Sequence, residues 1–289
     1  METMQDRTTQ LSPGAEPAVA ADTRAATRSE RGRAARRWVA NTLLGGLGFL
    51  IILAGWQLSS SLGLMRPGLL PTPGTVGSVM IEGLVSGDLL RDLLVSSRRV
   101  VIGVTIGMAV AIPFGLVLGW FPRARATFNP LVNFFRALPP IALVPLVVIY
   151  FGIGELAREV ILVYAAFFAT VIVVYEGVGA IEEKYIRAGR TLGAGKLELF
   201  TRVVLPLSTP HIFTAARISL GIGWSSLVAA ELVAAQDGLG AAIQNSANFL
   251  DVPGMYAGII LIGLAALVMD LAVRVAAARV LRWQDRGER

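Results

Sequence analysis

Ionisable residues interrupt the apolar runs of this chain, among them Arg217, Glu231 and Asp270. A charge inside a bilayer is costly, so each of them either takes part in moving a solute or belongs to an ion pair that holds helices together. Asp270 precedes Arg274 by four residues, a spacing that lets the two side chains pair on one helix face. For Glu231, a gating role and a packing role are equally open.

Composition excludes several other kinds of chemistry. The chain has no cysteine and one histidine, His211, which rules out thiolate nucleophiles, disulfides and clustered His or Cys metal sites. His211 follows Pro210 and is interpreted as a loop residue. The net charge is +6, but the distribution of this charge indicates membrane topology rather than nucleic-acid binding.

Two short matches to nucleotide-binding motifs do not hold. Gly195-Lys196 resembles the end of a phosphate-binding loop, yet Arg190 stands at the first glycine position and Leu197 replaces Ser or Thr. A glycine pair at Gly152 and Gly154 has dinucleotide-motif spacing but lacks the strand–helix frame of such sites. We therefore expect no ATP site and no enzymatic activity in this chain.

The elements that carry these residues are apolar helices. Of 289 residues, 54% are hydrophobic and 16% charged, and the apolar residues cluster in blocks long enough to cross a hydrocarbon core of ~30 Å. We predict an all-α polytopic membrane protein with about six transmembrane helices, over 39–64, 96–121, 137–152, 159–179, 207–234 and 254–278. Flanking them are a disordered tail over 1–37 and a short tail over 282–289, which leaves 38–281 as the transmembrane domain.

Lys and Arg are distributed unevenly between alternate loops. Twenty lie in the N-terminal tail, the loops 122–136 and 180–206, and the C-terminus, against five on the other side. This predicts that both termini are cytoplasmic. Arg98 and Arg99 fall on the opposite side, and we expect them to extend outward to the bilayer surface.

Broken or small-residue stretches are candidates for a solute pathway. Pro139, Pro140 and Pro145 interrupt the third span, where irregular backbone can line a cavity, or where a kink serves packing alone. Trp224 lies among glycines beside Ser225 and Ser226, either along the pathway or at a close helix contact. Together with Arg217 and Glu231, these residues are the predicted pathway candidates.

A charged segment from Arg187 to Pro210 lies between two apolar spans and must therefore face water. Gly193 and Gly195 can form a turn between two short helices, because glycine tolerates positive φ. Leucines and Phe200 would form one apolar face suited to a partner's groove, and Leu205-Pro206 would restart a helix. An ordinary interfacial helix is the simpler interpretation of these features alone.

This segment resembles the cytoplasmic coupling loop of importer-type ABC permeases, because nine residues separate Gly193 from Val203-Val204-Leu205-Pro206. The resemblance extends from about Leu70 to the C-terminus, through A-L-P-P-I-A-L-V-P and G-I-G-W-S-S-L-V-A-A-E, and is strongest to nitrate, sulfonate and taurine permeases. Arg187 and Gly189 depart from the general Glu-Ala-Ala pattern, and Arg187 fits the taurine branch. The resemblance implies ATPase contact through a coupling helix at about 182–200 and the re-entry after it, with the residues Arg187, Ala188, Gly189, Leu192, Gly193, Ala194, Leu197, Phe200, Leu205 and Pro206.

The same resemblance implies a type I ABC importer permease fold in the bacterial inner membrane. The implied assembly is a permease homodimer with two cytoplasmic ATPase subunits, which bind ATP and Mg²⁺, and an extracytoplasmic binding protein. The implied cargo is taurine or another alkanesulfonate, with nitrate, bicarbonate, aromatic carboxylates and vitamin precursors as alternatives. A secondary transporter that uses Glu231 and Asp270 as ion carriers is the main rival class, and an integral membrane enzyme is another.

Overall fold

A computed structural model describes residues 46–63 and 68–282 of the chain. The predicted tail over 1–37 and residues 283–289 of the predicted C-terminal tail lie outside the described residues. The chain divides into two compact units, 1–67 and 68–289. The first contains the apolar helix α1, Gly46–Ser61, within the predicted span 39–64.

The second unit is helical throughout its regular elements. Its helices are α2 (Pro73–Ser86), α3 (Asp88–Trp120), α4 (Pro122–Ala137), α5 (Pro140–Phe151), α6 (Glu155–Gly179), α7 (Glu183–Thr191), α8 (Lys196–Leu199), α9 (Leu205–Ala234), α10 (Leu239–Asn248) and α11 (Val252–Val280). A π-helical turn over Phe200–Val204 joins α8 to α9.

Four of the described helical stretches are long and apolar enough to cross a membrane: Asp88–Trp120, Glu155–Gly179, Lys196–Val233 and Val252–Val280. Helices α4 and α5 would form a fifth span together, although they are bent by 91° at their junction. Pro139 and Pro140 occupy that junction as N-cap and first residue of α5, which confirms the predicted break there. Pro145 lies inside the continuous α5, so the prediction that it interrupts the span was wrong. The predicted loop 122–136 was wrong, because α4 covers it.

Helix α3 begins eight residues earlier than the predicted start of the second span at residue 96. Gly87 ends α2 in the left-handed region with φ 93°, and α3 starts at once after it. This early start places Ser96 and Arg99 within the packed part of the helix rather than at its entry. The prediction that Arg99 extends outward was therefore wrong, whereas Arg98 is exposed.

Helices α3, α6 and α9 pack closely and form the core. A Cβ on Gly107 of α3 would lie 2.8 Å from the Val163 carbonyl oxygen of α6, so only glycine allows this approach. The buried cluster beside this contact includes Val104, Leu162, Trp224 and Leu227. Thr170 and Ser219 add a buried hydroxyl–hydroxyl hydrogen bond of 2.8 Å between α6 and α9.

Candidate functional site

The predicted turn of the coupling segment is present and depends on one glycine. Gly193 follows α7 with φ +83°, and no neighbouring atom lies within 4 Å of the position its Cβ would take. The amide of Ala194 donates to the carbonyl of Gly189 at 3.0 Å, which closes the end of α7. Gly195 has an ordinary φ of −72° as the N-cap of α8, so the positive φ is required at Gly193 alone.

The apolar residues of this segment point in two directions. Leu192 and Leu197 are 87% and 77% exposed, and they form a bare apolar surface on the segment. Leu199 is only 2% exposed, and Phe200 packs against Trp120 with ring centroids 6.1 Å apart. The prediction of a single apolar face was therefore wrong for Leu199 and Phe200, which anchor the segment to the helix core.

The structure explains why residue 189 is a glycine, which the sequence analysis did not. A Cβ at this position would lie 2.5 Å from Cδ2 of the buried Leu199. Glycine therefore lets the body of α7 rest directly on the leucine that follows the turn. The segment folds back on itself between these two residues. A glycine in place of the alanine that is general at this position of the coupling pattern therefore agrees with the close packing against Leu199.

The remaining predicted coupling residues lie around this turn. Arg187 and Ala188 are exposed on α7, where Arg187 pairs with Glu183 at 2.6 Å one turn earlier. Ala194 is half-buried in the turn. Leu205 and Pro206 are the first two residues of α9, which continues directly from the π-helical turn.

A buried ion cluster, centred on Arg99, lies at the other end of α9. The guanidinium of Arg99 is 2.7 Å from Glu231 of α9 and 2.5 Å from Asp237 in the loop after it. It also donates two hydrogen bonds to Glu155 at the start of α6, one of them from Nε at 2.9 Å. Arg99 and Glu231 are each 1% exposed. One cation thus ties α3 to α6, to α9 and to the α9–α10 loop.

The backbone amides of Gly238 and of the first two residues of α10 complete the Arg99 cluster. The amide of Gly238 donates to Asp92 at 2.8 Å, that of Leu239 to the Ser96 hydroxyl at 2.9 Å, and that of Gly240 to Glu231 at 2.9 Å. The Arg99 guanidinium beside Asp237 holds the pKa of that carboxyl below its ordinary value. The cluster therefore fixes the loop through charge and backbone together.

A second ion network links α9 to α11. Arg217 Nε lies 2.6 Å from Asp270 Oδ1, and Arg274 Nε lies 2.6 Å from the other oxygen of the same carboxylate. The predicted pairing of Asp270 with Arg274 is confirmed. Arg217 joins it from the neighbouring helix, a contact that sequence spacing could not reveal.

The other pathway candidates are not gathered in one place. Trp224 is buried in the core and Ser226 is also buried, positions that favour packing, whereas Ser225 donates to the Gly221 carbonyl on a more exposed face. Pro145 lies inside α5 and is exposed. His211 lies within α9 against Gly177, so its interpretation as a loop residue was wrong.

Known proteins with similar sequences are transport permeases. Residues 103–282 match the family model described as binding-protein-dependent transport system inner membrane component. The chain is 38% identical to a probable ABC transporter permease protein of Brucella abortus (strain 2308) over 252 residues, 86% of this chain and 100% of that one. It is 35% identical to the taurine transport system permease protein TauC of Escherichia coli (strain K12), over 81% of this chain and 86% of that one.

The fold matches a solved transporter as well. The inward-facing MetNI methionine ABC transporter superposes with a TM-score of 0.60 at 22% identity, over 66% of this chain and 95% of that one. At this identity the likeness concerns the fold, which is that of a type I importer permease. The family match over 103–282 and the 35% identity to the taurine permease establish that the chain belongs to the binding-protein-dependent inner membrane components, the permease subunits of ABC importers.

Proposed function

We propose that this permease carries taurine or a closely related alkanesulfonate into the cell. The observation that supports this cargo most directly is the 35% identity to a taurine permease over four-fifths of the chain. The permease domain extends over about 38–281, with both termini in the cytoplasm. In this orientation the Gly193 turn faces the cytoplasm and the Arg99 cluster faces outward.

Two copies of the chain form the pathway in the proposed assembly, with two ATPase subunits beneath them and a binding protein outside. ATP and Mg²⁺ belong to the ATPase subunits. The exposed side chains of Leu192 and Leu197 supply the apolar surface that enters an ATPase groove. Leu199 and Phe200 hold that surface on the helix core, so a movement of the ATPase is passed to α9.

The Arg99 cluster acts as the outward closure of the pathway in this proposal. It joins the ends of α3, α6 and α9 to the loop before α10, and opening toward the binding protein requires those ends to separate. The buried charges of the cluster stabilise the closed state, because separating them would leave a charge unpaired in a dry site, which is costly. Such a network suits a two-state element that responds to force from the coupling segment.

Reconstitution tests the cargo and the assembly. The permease is co-expressed with the ATPase and binding protein from its own genome neighbourhood and purified, and ATP hydrolysis is measured in proteoliposomes. Stimulation by taurine-loaded binding protein, and not by the same protein loaded with nitrate or bicarbonate, is expected. If a stable complex is stimulated by bicarbonate alone, the proposed cargo is bicarbonate instead of taurine. Transport without any ATPase would contradict the proposed assembly.

A further inference from the structure

A cavity of about 390 Å³ opens at the break between α4 and α5. Its volume lies in the range of ~300–1,000 Å³ that is usual for small-molecule sites. The wall is mainly aliphatic and aromatic, with one cation and one phenol. Residues of this lining include Arg136, Pro140, Tyr164, Phe168, Ile218 and Ile222.

The cavity lies halfway along the spanning helices. Phe168 is near the middle of α6, and Ile218 and Ile222 are near the middle of α9. The end of α4 lies at the same level, because the carbonyl of Phe135 accepts a hydrogen bond from the hydroxyl of Tyr164 in the middle part of α6. Solute sites of transporters lie commonly at this depth, where a broken helix leaves room between continuous ones.

Arg136 has no ion pair with any residue in 46–63 or 68–282, although Arg99, Arg217 and Arg274 each have one. It is the last basic residue of α4 and is exposed beside apolar neighbours. The Tyr164 hydroxyl donates to the carbonyl of Phe135 at 2.5 Å, which holds the end of α4 against α6. An unpaired cation at this depth is costly unless an anion meets it.

We propose that Arg136 binds the anionic head of the solute during its passage through this cavity. A guanidinium presents a planar fork of donors that suits the oxygens of a sulfonate, as it does those of a carboxylate or phosphate. Tyr164 is a positioning residue, since its bond to Phe135 fixes the direction of α4. The chemical class of the ligand rests on the proposed function, whereas the anion preference rests on the cavity itself.

Transport by charge variants is the first test. Arg136→Gln should lower taurine uptake into proteoliposomes by about tenfold or more, the effect of losing one charge-assisted hydrogen bond. Arg136→Lys should restore part of the uptake. Arg123→Gln is the matched control, because Arg123 is an exposed arginine at the start of the same helix. Equal uptake in all three variants would overturn the site.

Labelling provides a readout that does not need transport. The chain has no cysteine, so Ala169→Cys places a single thiol in the cavity wall. Each rate is divided by the rate of the same reagent with a small thiol in solution, because a thiolate reacts intrinsically faster with a cationic reagent. On this relative scale a sulfonatoethyl methanethiosulfonate should react faster than the trimethylammonium analogue, and Arg136→Gln should abolish that preference. Equal relative rates of the two reagents with Arg136 present would contradict an anion site.

The two tests separate this inference from the proposed cargo. If the wild-type complex imports labelled bicarbonate or nitrate and not taurine, the cargo proposal fails, and the Arg136 variants are measured with that anion. If taurine is imported equally by wild type and Arg136→Gln, the cargo stands and the Arg136 site fails. If Arg136→Gln fails to assemble, the labelling of Ala169→Cys alone tests the site: a preference for the anionic reagent supports it, and no preference contradicts it.

Discussion

The guanidinium of Arg99 and the carboxylate of Glu231 form an ion pair of 2.7 Å that is almost wholly buried. Both helices that supply these residues cross the core, and the pair joins the first half of α3 to the C-terminal end of α9. Arg99 has two further carboxylate partners, but Glu231 has no other cationic partner among the described residues. Loss of Arg99 would leave the buried Glu231 carboxylate without a cation, whereas loss of Glu231 would leave Arg99 with two carboxylate partners.

Arg99→Gln should destabilise the purified permease by about 3 kcal/mol or more, because it leaves the buried carboxylate of Glu231 without a cation. Thermal unfolding in detergent measures this. Glu198→Gln is the control, because Glu198 pairs with Arg202 on a solvated helix face and such pairs contribute little. Equal shifts of the two melting temperatures would contradict a special role for the Arg99 cluster.

Asp237 should make stability depend on pH at the acidic end. Arg99 lowers the pKa of this carboxyl in the folded chain, so its contribution is complete above the ordinary Asp pKa of about 3.9 and is lost as pH falls through the lower folded value. Asp237→Asn should therefore melt lower than wild type at neutral pH, and the gap should narrow in strong acid. Melting curves recorded from neutral to acidic pH test this, with Glu82→Gln as an exposed control.

Gly193→Asp should uncouple ATP hydrolysis from uptake while membrane insertion remains normal. The substitution forces a side chain into the left-handed region at an exposed turn, which disturbs docking rather than a span. Gly195→Asp is a close control, because φ there is −72° and no atom crowds its Cβ position. Uptake and ATP hydrolysis are measured in the same proteoliposomes. Normal coupled uptake in the Gly193 variant would falsify the coupling role.

Gly189→Val should weaken coupling through a clash with Leu199 rather than through lost flexibility. A Cβ at residue 189 comes within 2.5 Å of the buried leucine side chain. Leu199→Ala in the same chain should recover part of the loss, although it leaves a cavity of its own. A double-mutant cycle on coupled uptake measures the interaction. Additive losses would show that the two residues act independently.

Asp270→Asn should be more harmful than Arg217→Gln. Asp270 accepts from two arginines, so its neutralisation leaves two cations close together, whereas removal of Arg217 leaves Asp270 paired with Arg274. Expression level and melting temperature of the two variants provide the comparison. The opposite order would mean that Arg217 has a role beyond this network.

Local features of the chain were predictable from its sequence, and distant contacts were not. The positive φ at Gly193 and the break at Pro139-Pro140 follow from the backbone limits of glycine and proline, which act within a few residues. The sequence analysis placed Arg99 at the bilayer surface, because the position of Arg99 along α3 depends on where that helix begins, which is directly after Gly87. Its partners Glu155 and Glu231 lie far along the chain, so no spacing rule links them.

The π-helical turn at Phe200–Val204 leaves Lys196–Val233 as one rod of 38 residues, roughly 57 Å long at the usual rise per residue. If this long helix pivots at the packed core, its two ends move in opposite directions. A tilt of about 5° about its centre moves each tip by roughly 2.5 Å. That displacement is enough to break hydrogen bonds as short as those at Glu231. A small rotation of this helix that starts near Gly193 would therefore change the hydrogen bonds at its far end, around Glu231.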